Sequence, residues 1–195
     1  MCNWKGCDVM DFVQHTDKIW TIENFLKAQH CDDLILFSEH RGYEEAKVSF
    51  PGGAQMVKGL RNNYRLIFED QKLAQTLYHQ MADFLPVVEK AWVPKALGAI
   101  FRFYRYDNEQ RFKRHIDGRV QVKDLESRLT FMVYLNDDFE GGETKFDDAF
   151  ISPKIGMALL FVHEQKHESL PIKIGRKYVL RSDILYQQTH DGDGL

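Results

Sequence analysis

Apolar residues recur along this chain with two different periods. Over residues 70–85, DQKLAQTLYHQMADFL, the apolar positions Leu73, Leu77, Met81 and Phe84 stand three or four apart. That spacing places them on one face of a helix. Asp70 offers a cap at its start and Pro86 a stop at its end. Residues 27–41, KAQHCDDLILFSEHR, carry Cys31, Leu34, Ile35 and Phe37, and Gly42 follows as a C-terminal stop. This predicts a second helix. Between the two, GYEEAKVSFPGGAQMVKGLRNNYR is rich in Gly, Pro and Asn and reads as a loop with strand fragments.

From residue 96 the period becomes two. GAIFRFYRY, SRLTFMVYL, TKFDDAFI, GMALLFVH and KYVLRSDILY are strand-like, separated by the turns NDDFEGGE, SPKIG and LPIKIG. Closely spaced strands with turns between them predict an antiparallel sandwich or barrel. The expected order is helices first and a β-roll second, an α+β arrangement. It divides one domain, residues 1–195, into a helical support region over 17–95 and a strand-built core over 96–188.

Composition removes several function classes. A chain of 195 residues suits one domain with a substantial core. Hydrophobic residues make up 44% and charged residues 28%, with a net charge of −3, so nothing marks a general nucleic-acid or membrane binder. No apolar run has the length of a membrane span. The first residues, MCNWKGCDVMDF, lack the apolar stretch of a secretory leader. The cysteines, Cys2, Cys7 and Cys31, are odd in number, and Cys2 and Cys7 lack the spacing of a zinc knuckle. They read as reduced thiols in a cytoplasmic protein. The tail THDGDGL has part of a calcium-loop pattern without the closing glutamate, and is expected to be disordered.

Candidate chemistry begins at FKRHIDG. On a strand, residues two apart point to one side, so His115 and Asp117 aim an imidazole and a carboxylate at one point. A third ligand is needed from a later strand, and FVHEQKHES offers His163 or His167. Two histidines and one carboxylate bind iron(II) and leave coordination positions open on the far side. A closed structural zinc site would favour cysteine, and no cysteine lies near these strands.

The stretch from Tyr104 to Tyr186 resembles the iron(II)/2-oxoglutarate dioxygenases of the prolyl 4-hydroxylase type. The similarity rests on YDNEQRFKRHID, RLTFMVYLNDDFEGGETKF and PKIGMALLFVHEQKHESLPIKIGRKYVLRSDILY. It implies a double-stranded β-helix, or jelly roll, backed by N-terminal helices. It implies iron(II) held by His115, Asp117 and His167, with 2-oxoglutarate as co-substrate, dioxygen, and ascorbate as reductant. His167 is preferred to His163 because the basic residue of the family pattern, Lys177, follows it by ten positions. Lys177 is then the partner of the co-substrate's far carboxylate. Arg181, on the same face of the same strand, competes for that role, and the family more often has an uncharged residue there. By position, Tyr106, Tyr134 and Thr144 line the co-substrate pocket, with Met132 as an apolar wall. Gly141 and Gly142 serve the turn. The implied reaction hydroxylates an unactivated C–H bond and releases succinate and CO2. The intact His-x-Asp favours hydroxylation over halogenation.

The substrate is expected to be a prolyl residue of a peptide or protein, or a small amino-acid-like molecule, with neither nucleic acid nor membrane as partner. Arg102 shares strand parity with Tyr106 and is a candidate substrate contact. Arg61, Asn62 and Asn63 form a candidate substrate-side loop. The competing expectation is a non-catalytic jelly-roll module binding a metal or ligand.

Overall fold

The computed structural model describes residues 9–50, 53–55 and 57–189. In chain order its strands are β1 (Asp11–Gln14), β2 (Ile19–Glu23), β3 (Glu44–Glu45), β4 (Val48–Phe50), β5 (Gly53–Gln55), β6 (Tyr64–Glu69), β7 (Trp92–Leu97), β8 (Ile100–Tyr106) and β9 (Phe112–His115). They continue with β10 (Gln121–Val122), β11 (Leu125–Tyr134), β12 (Glu140–Gly141), β13 (Thr144–Phe146), β14 (Phe150–Ile151), β15 (Ala158–Val162), β16 (His167–Ser169), β17 (Ile172–Ile174) and β18 (Lys177–Gln188). Helix α1 spans Ala28–Arg41 and α2 spans Gln71–Met81.

A large antiparallel sheet runs β1-β2-β15-β11-β18-β8-β6-β3, with β7 and β10 pairing beside it. A small sheet runs β14-β13-β16-β9. The central strands of the large sheet alternate between two covered faces. Phe101, Phe103, Leu129, Phe131, Val133, Leu180 and Leu160 point to one face and join the core beneath the helices. Tyr104, Tyr106, Met132, Tyr134, Val179 and Leu159, the intervening residues, point to the other face. A sheet covered on both sides buries nearly every residue of these strands.

The helices form where the pattern predicts them. Asp70 caps α2 by accepting from the Leu73 N–H at 2.9 Å, and Ala74, Leu77 and Met81 are its buried positions. Helix α1 ends at Gly42, at φ 82°, whose N–H returns to the carbonyls of Ser38 and Glu39.

The order of helices first and strands second is corrected. β1 and β2 precede α1 and extend one edge of the large sheet, and β6 and β3 extend the other. Ile19, Trp20, Thr21 and Ile22 are all buried, so this short strand carries no alternation to read. β6 begins directly behind the Asn-rich end of a loop, which hid its start. TKFDDAFI is two strands, β13 and β14, closed by a bond from the Phe146 N–H to the Ala149 carbonyl. LPIKIG contains β17, which pairs with β12. Cys31 is free and buried in the core. Cys2, Cys7 and the tail from residue 190 lie outside the described residues.

Candidate active site

The small sheet carries the histidines. β9 ends at His115 and β16 begins at His167, and the two residues are direct partners across the ladder. Their rings stand 4.2 Å apart. Asp117 lies two residues beyond the strand end, so strand parity is not what aims it, contrary to the sequence expectation. Its N–H bonds to the His163 carbonyl instead, which turns the chain back toward the site.

The three side chains converge. His115 Nε2 is 3.8 Å from Asp117 Oδ1, and His167 Nε2 is 3.9 Å from Asp117 Oδ2. One ligand atom from each residue lies within 4.8 Å of the others, and this is the only such grouping among the described residues. His115 Nδ1 faces the Lys113 carbonyl at 2.8 Å, and His167 Nδ1 faces the Gln165 carbonyl at 2.9 Å. A carbonyl only accepts, so both Nδ1 atoms carry the proton and both Nε2 lone pairs are left for a metal. Burial, and then the neighbouring His167, push the His115 pKa down to about 3. Burial also lowers that of His167. Burial works to raise the Asp117 carboxyl, but Arg181, His167 and His115 outweigh it and hold it well below the usual range. Two neutral imidazoles and an ionised carboxylate on one side of an open cavity are a donor set that fits iron(II). His163 is turned elsewhere, with Nδ1 3.0 Å from Thr130 Oγ1 and Nε2 3.0 Å from Ser127 Oγ.

The triad lines an open cavity whose walls come from both sheets. The large sheet supplies Tyr106 opposite Lys177, Tyr104 opposite Val179, and Arg181, whose register partner Arg102 is not among the lining residues. At one end, Lys177 is 1% exposed. Its Nζ donates to the Gly142 carbonyl and, at 3.0 Å, to Ser169 Oγ. The rings of Tyr106 and Tyr134 lie 5.2 and 5.4 Å away. No carboxylate of a described residue stands within ion-pair distance. Burial pushes this ammonium down to about 7, with only Glu143 opposing the shift. Tyr134 Oη and Thr144 Oγ1 hydrogen-bond at 2.7 Å beside it. Thus Lys177, Tyr106, Tyr134 and Thr144 are gathered at one end, with Met132 on the wall.

The pattern did not single out Ser169, and it gave Gly142 only a role in the turn. Ser169 stands two residues after His167 on one short strand, the same i, i+2 relation as His115 and Asp117, and that was an available signal. Gly142 has φ 70°, and a Cβ there would meet Ile172 Cδ1 at 2.4 Å and Lys177 Cδ at 3.2 Å. Its turn conformation is what presents the carbonyl to the lysine.

Arg181 has other partners. Its Nη2 is 3.1 Å from Asp117 Oδ2 and 2.9 Å from Asp183 Oδ1. Arg102 pairs with the other oxygen of Asp183 at 3.1 Å. Arg61 is buried between the rings of Tyr104 and Phe112, at 4.5 and 4.4 Å from their centroids. Asn63 Oδ1 accepts from Arg61 Nε at 2.7 Å, and Asn62 Oδ1 accepts from the Arg111 N–H at 2.8 Å. These asparagines support Arg61 and the loop, rather than facing the cavity.

Residues 101–182 match the model of the 2OG-Fe(II) oxygenase superfamily. Two curated relatives from Arabidopsis thaliana are each 23% identical. Prolyl 4-hydroxylase 1 aligns with 70% of this chain and 49% of its own length, and Prolyl 4-hydroxylase 2 with 93% and 73%. The chain therefore spans about half the length of the first. Among solved structures, the viral collagen prolyl hydroxylase of Paramecium Bursaria Chlorella virus-1, in a 2OG complex, superposes with a TM-score of 0.62. It is 23% identical over 86% of this chain and 96% of the other. A Trichoplax adhaerens prolyl hydroxylase, bound to a hypoxia inducible factor oxygen degradation domain peptide fragment, has a TM-score of 0.67. It is 15% identical over 87% of this chain and 84% of the other. The shared fold is the double-stranded β-helix.

Proposed function

We propose that this chain, a prolyl 4-hydroxylase-like member of the 2OG-Fe(II) oxygenase superfamily, hydroxylates an unactivated C–H bond of a prolyl residue or an amino-acid-like molecule. The observation that carries this reading is one cavity with two ends. The His115–Asp117–His167 triad stands at one, and a buried lysine without a carboxylate partner at the other. His115, Asp117 and His167 would hold iron(II), and the Lys177 end would hold 2-oxoglutarate. Together with dioxygen these supply an oxidative decarboxylation to succinate and CO2 that places one oxygen atom on the substrate.

The chain's own residues prepare that chemistry. The carbonyls of Lys113 and Gln165 fix which histidine nitrogens are protonated. Thr130 donates to Asp117 Oδ2 at 2.6 Å and holds the carboxylate in place. Gly142 and Ser169 orient the Lys177 ammonium toward a far carboxylate. Tyr106 and Thr144 line that end, and Tyr134 holds the Thr144 hydroxyl from behind. Val179 and Met132 give the wall between the ends an apolar surface that excludes water. Ascorbate as reductant and a cytoplasmic location belong to the same proposal, the latter supported by the free, buried Cys31. Among the described residues no helix is long and apolar enough to cross a membrane.

The test is succinate release from 2-oxoglutarate with iron(II), dioxygen and ascorbate, paired with a screen for products heavier by one oxygen. Activity should disappear in His115→Ala, Asp117→Ala and His167→Ala while the fold survives. An active Asp117→Ala variant would contradict the assignment.

A further inference from the structure

On the substrate side of the triad, three arginines converge on one phenol. Tyr104 lines the cavity, and no described residue hydrogen-bonds its hydroxyl. The guanidinium groups of Arg61, Arg102 and Arg181 all stand near it. Burial works to raise the phenol's pKa, yet these three cations outweigh it and lower it. Two of the three are matched by acids. Arg181 has Asp117 and Asp183, and Arg102 shares Asp183. Arg65, at the register of Tyr104 on β6, has Glu44 as its cross-strand partner.

Arg61 is different. It is 5% exposed and pairs with no carboxylate among the described residues, and its Nη2 is buried without a hydrogen-bond partner. Its known contacts are the amide of Asn63 and two aromatic rings. Phe112, on its other side, stacks on the candidate metal ligand His115 at 3.5 Å. A cation held between two residues that line the cavity, Tyr104 and Phe112, is unmatched. Filling the rest of the site does not match it. A metal's two charges plus Lys177 exceed the two negative charges of 2-oxoglutarate by one. Three guanidinium groups against two carboxylates leave another positive charge. Buried charge without a counter-charge is costly, so the remaining ligand should bring it.

We propose that the primary substrate carries a carboxylate, received by the Tyr104 hydroxyl and the Arg61 guanidinium while its reacting carbon faces the triad. This favours a free amino-acid-like acid or a C-terminal residue over an internal prolyl residue of a peptide. The inference rests on the oxygenase reading for what fills the Lys177 end.

The experiment measures binding without turnover. The protein is loaded with manganese(II) and saturating 2-oxoglutarate, so the Lys177 end is filled. The twenty proteinogenic L-amino acids are then titrated, each as free acid and as primary amide, and binding is followed by ligand-observed NMR. At least one acid should bind about tenfold or more tighter than its own amide, as expected for an ionised group accepting charge-assisted hydrogen bonds. Tyr104→Phe keeps the ring that stacks on Arg61 and should lower the acid's affinity several-fold. Arg61→Gln should bring acid and amide close to parity. Equal binding of acid and amide across the panel, or no binding of any acid, overturns the proposal. Acid-selective binding in a protein that releases no succinate supports the anion site and sinks the oxygenase reading alone.

Discussion

Lys177 and Arg181 stand four residues apart on β18 and point to the same side. Both are almost fully buried, yet their surroundings are opposite. Arg181 lies between Asp117 and Asp183, and these acids, opposing the effect of burial, hold its guanidinium firmly charged. Lys177 has a carbonyl, a hydroxyl and two ring faces, and its ammonium is pushed down to about 7. A compensated cation contributes to the fold. An uncompensated one is a strain on the fold that a bound anion relieves. The strand thus keeps its structural charge and its ligand-binding charge two repeats of the pleat apart, with Val179 between them.

The largest expected effect comes from breaking the compensated end. Arg181→Met leaves Asp117 and part of Asp183 buried without their cation and should destabilise the apo-protein by about 3–5 kcal/mol. Added manganese(II) should restore part of this by pairing Asp117. Chemical denaturation with and without the ion measures both. A neutral or stabilising Arg181→Met would mean that the pairs contribute nothing.

At the other end the same substitution should have the opposite sign. Lys177→Met removes a buried ammonium with no counter-ion and should stabilise the apo-protein by up to a few kcal/mol near neutral pH. The 2-oxoglutarate affinity should fall by about two to four powers of ten, the equivalent of losing a buried charged partner. Denaturation and calorimetric titration of this one variant separate stability from binding.

The pH dependence follows from the same lysine. Its folded pKa is depressed, so between about 7 and 10.5 the unfolded chain binds the extra proton. The contribution of Lys177 is therefore most unfavourable below pH 7, and it lessens as pH rises through that window. Binding of a dianion needs the charged form. Affinity for 2-oxoglutarate should be level below pH 7 and fall toward tenfold per pH unit above it, with proton uptake on binding. A flat affinity from pH 6.5 to 9 would show that Lys177 stays charged in the empty site.

Much of this was legible in the sequence, for reasons that also mark where legibility stopped. The long central strands announced themselves because a sheet covered on both faces is apolar throughout and flanked by turns. Helix α2 announced itself through the Asp70 cap and one apolar stripe. His115 stood out, with His163 and His167 as alternatives, because ligand chemistry restricts residue type, and the family resemblance chose His167. What stayed hidden was what a chain cannot encode in local spacing. The fully buried β2 has no period. Asp117 is aimed by a bond from a distant segment. The division of labour between Lys177 and Arg181 depends on Asp183 and Asp117 reaching one guanidinium and leaving the other cation alone. Ser169 was missed although its spacing from His167 was available.

The smallest effects test the hydroxyls that tune each end. Ser169 Oγ and the Gly142 carbonyl are the two acceptors for Lys177, and Ser169→Ala removes one. A single hydrogen bond to a charged group is worth about 1.5–3 kcal/mol at most, and the remaining carbonyl limits the loss. The 2-oxoglutarate affinity should drop roughly three- to tenfold, and metal affinity should not change. Thr130→Val is the mirror experiment, since Thr130 Oγ1 donates to Asp117 Oδ2 and lies 3.4 Å from Arg181 Nη2. It should weaken manganese(II) binding by a similar factor and leave 2-oxoglutarate binding to the metal-loaded protein nearly intact. The two variants should therefore cross over, each moving one ligand. If both ligands weakened equally in both, the cavity would be one coupled network and the separation of its two ends would fail.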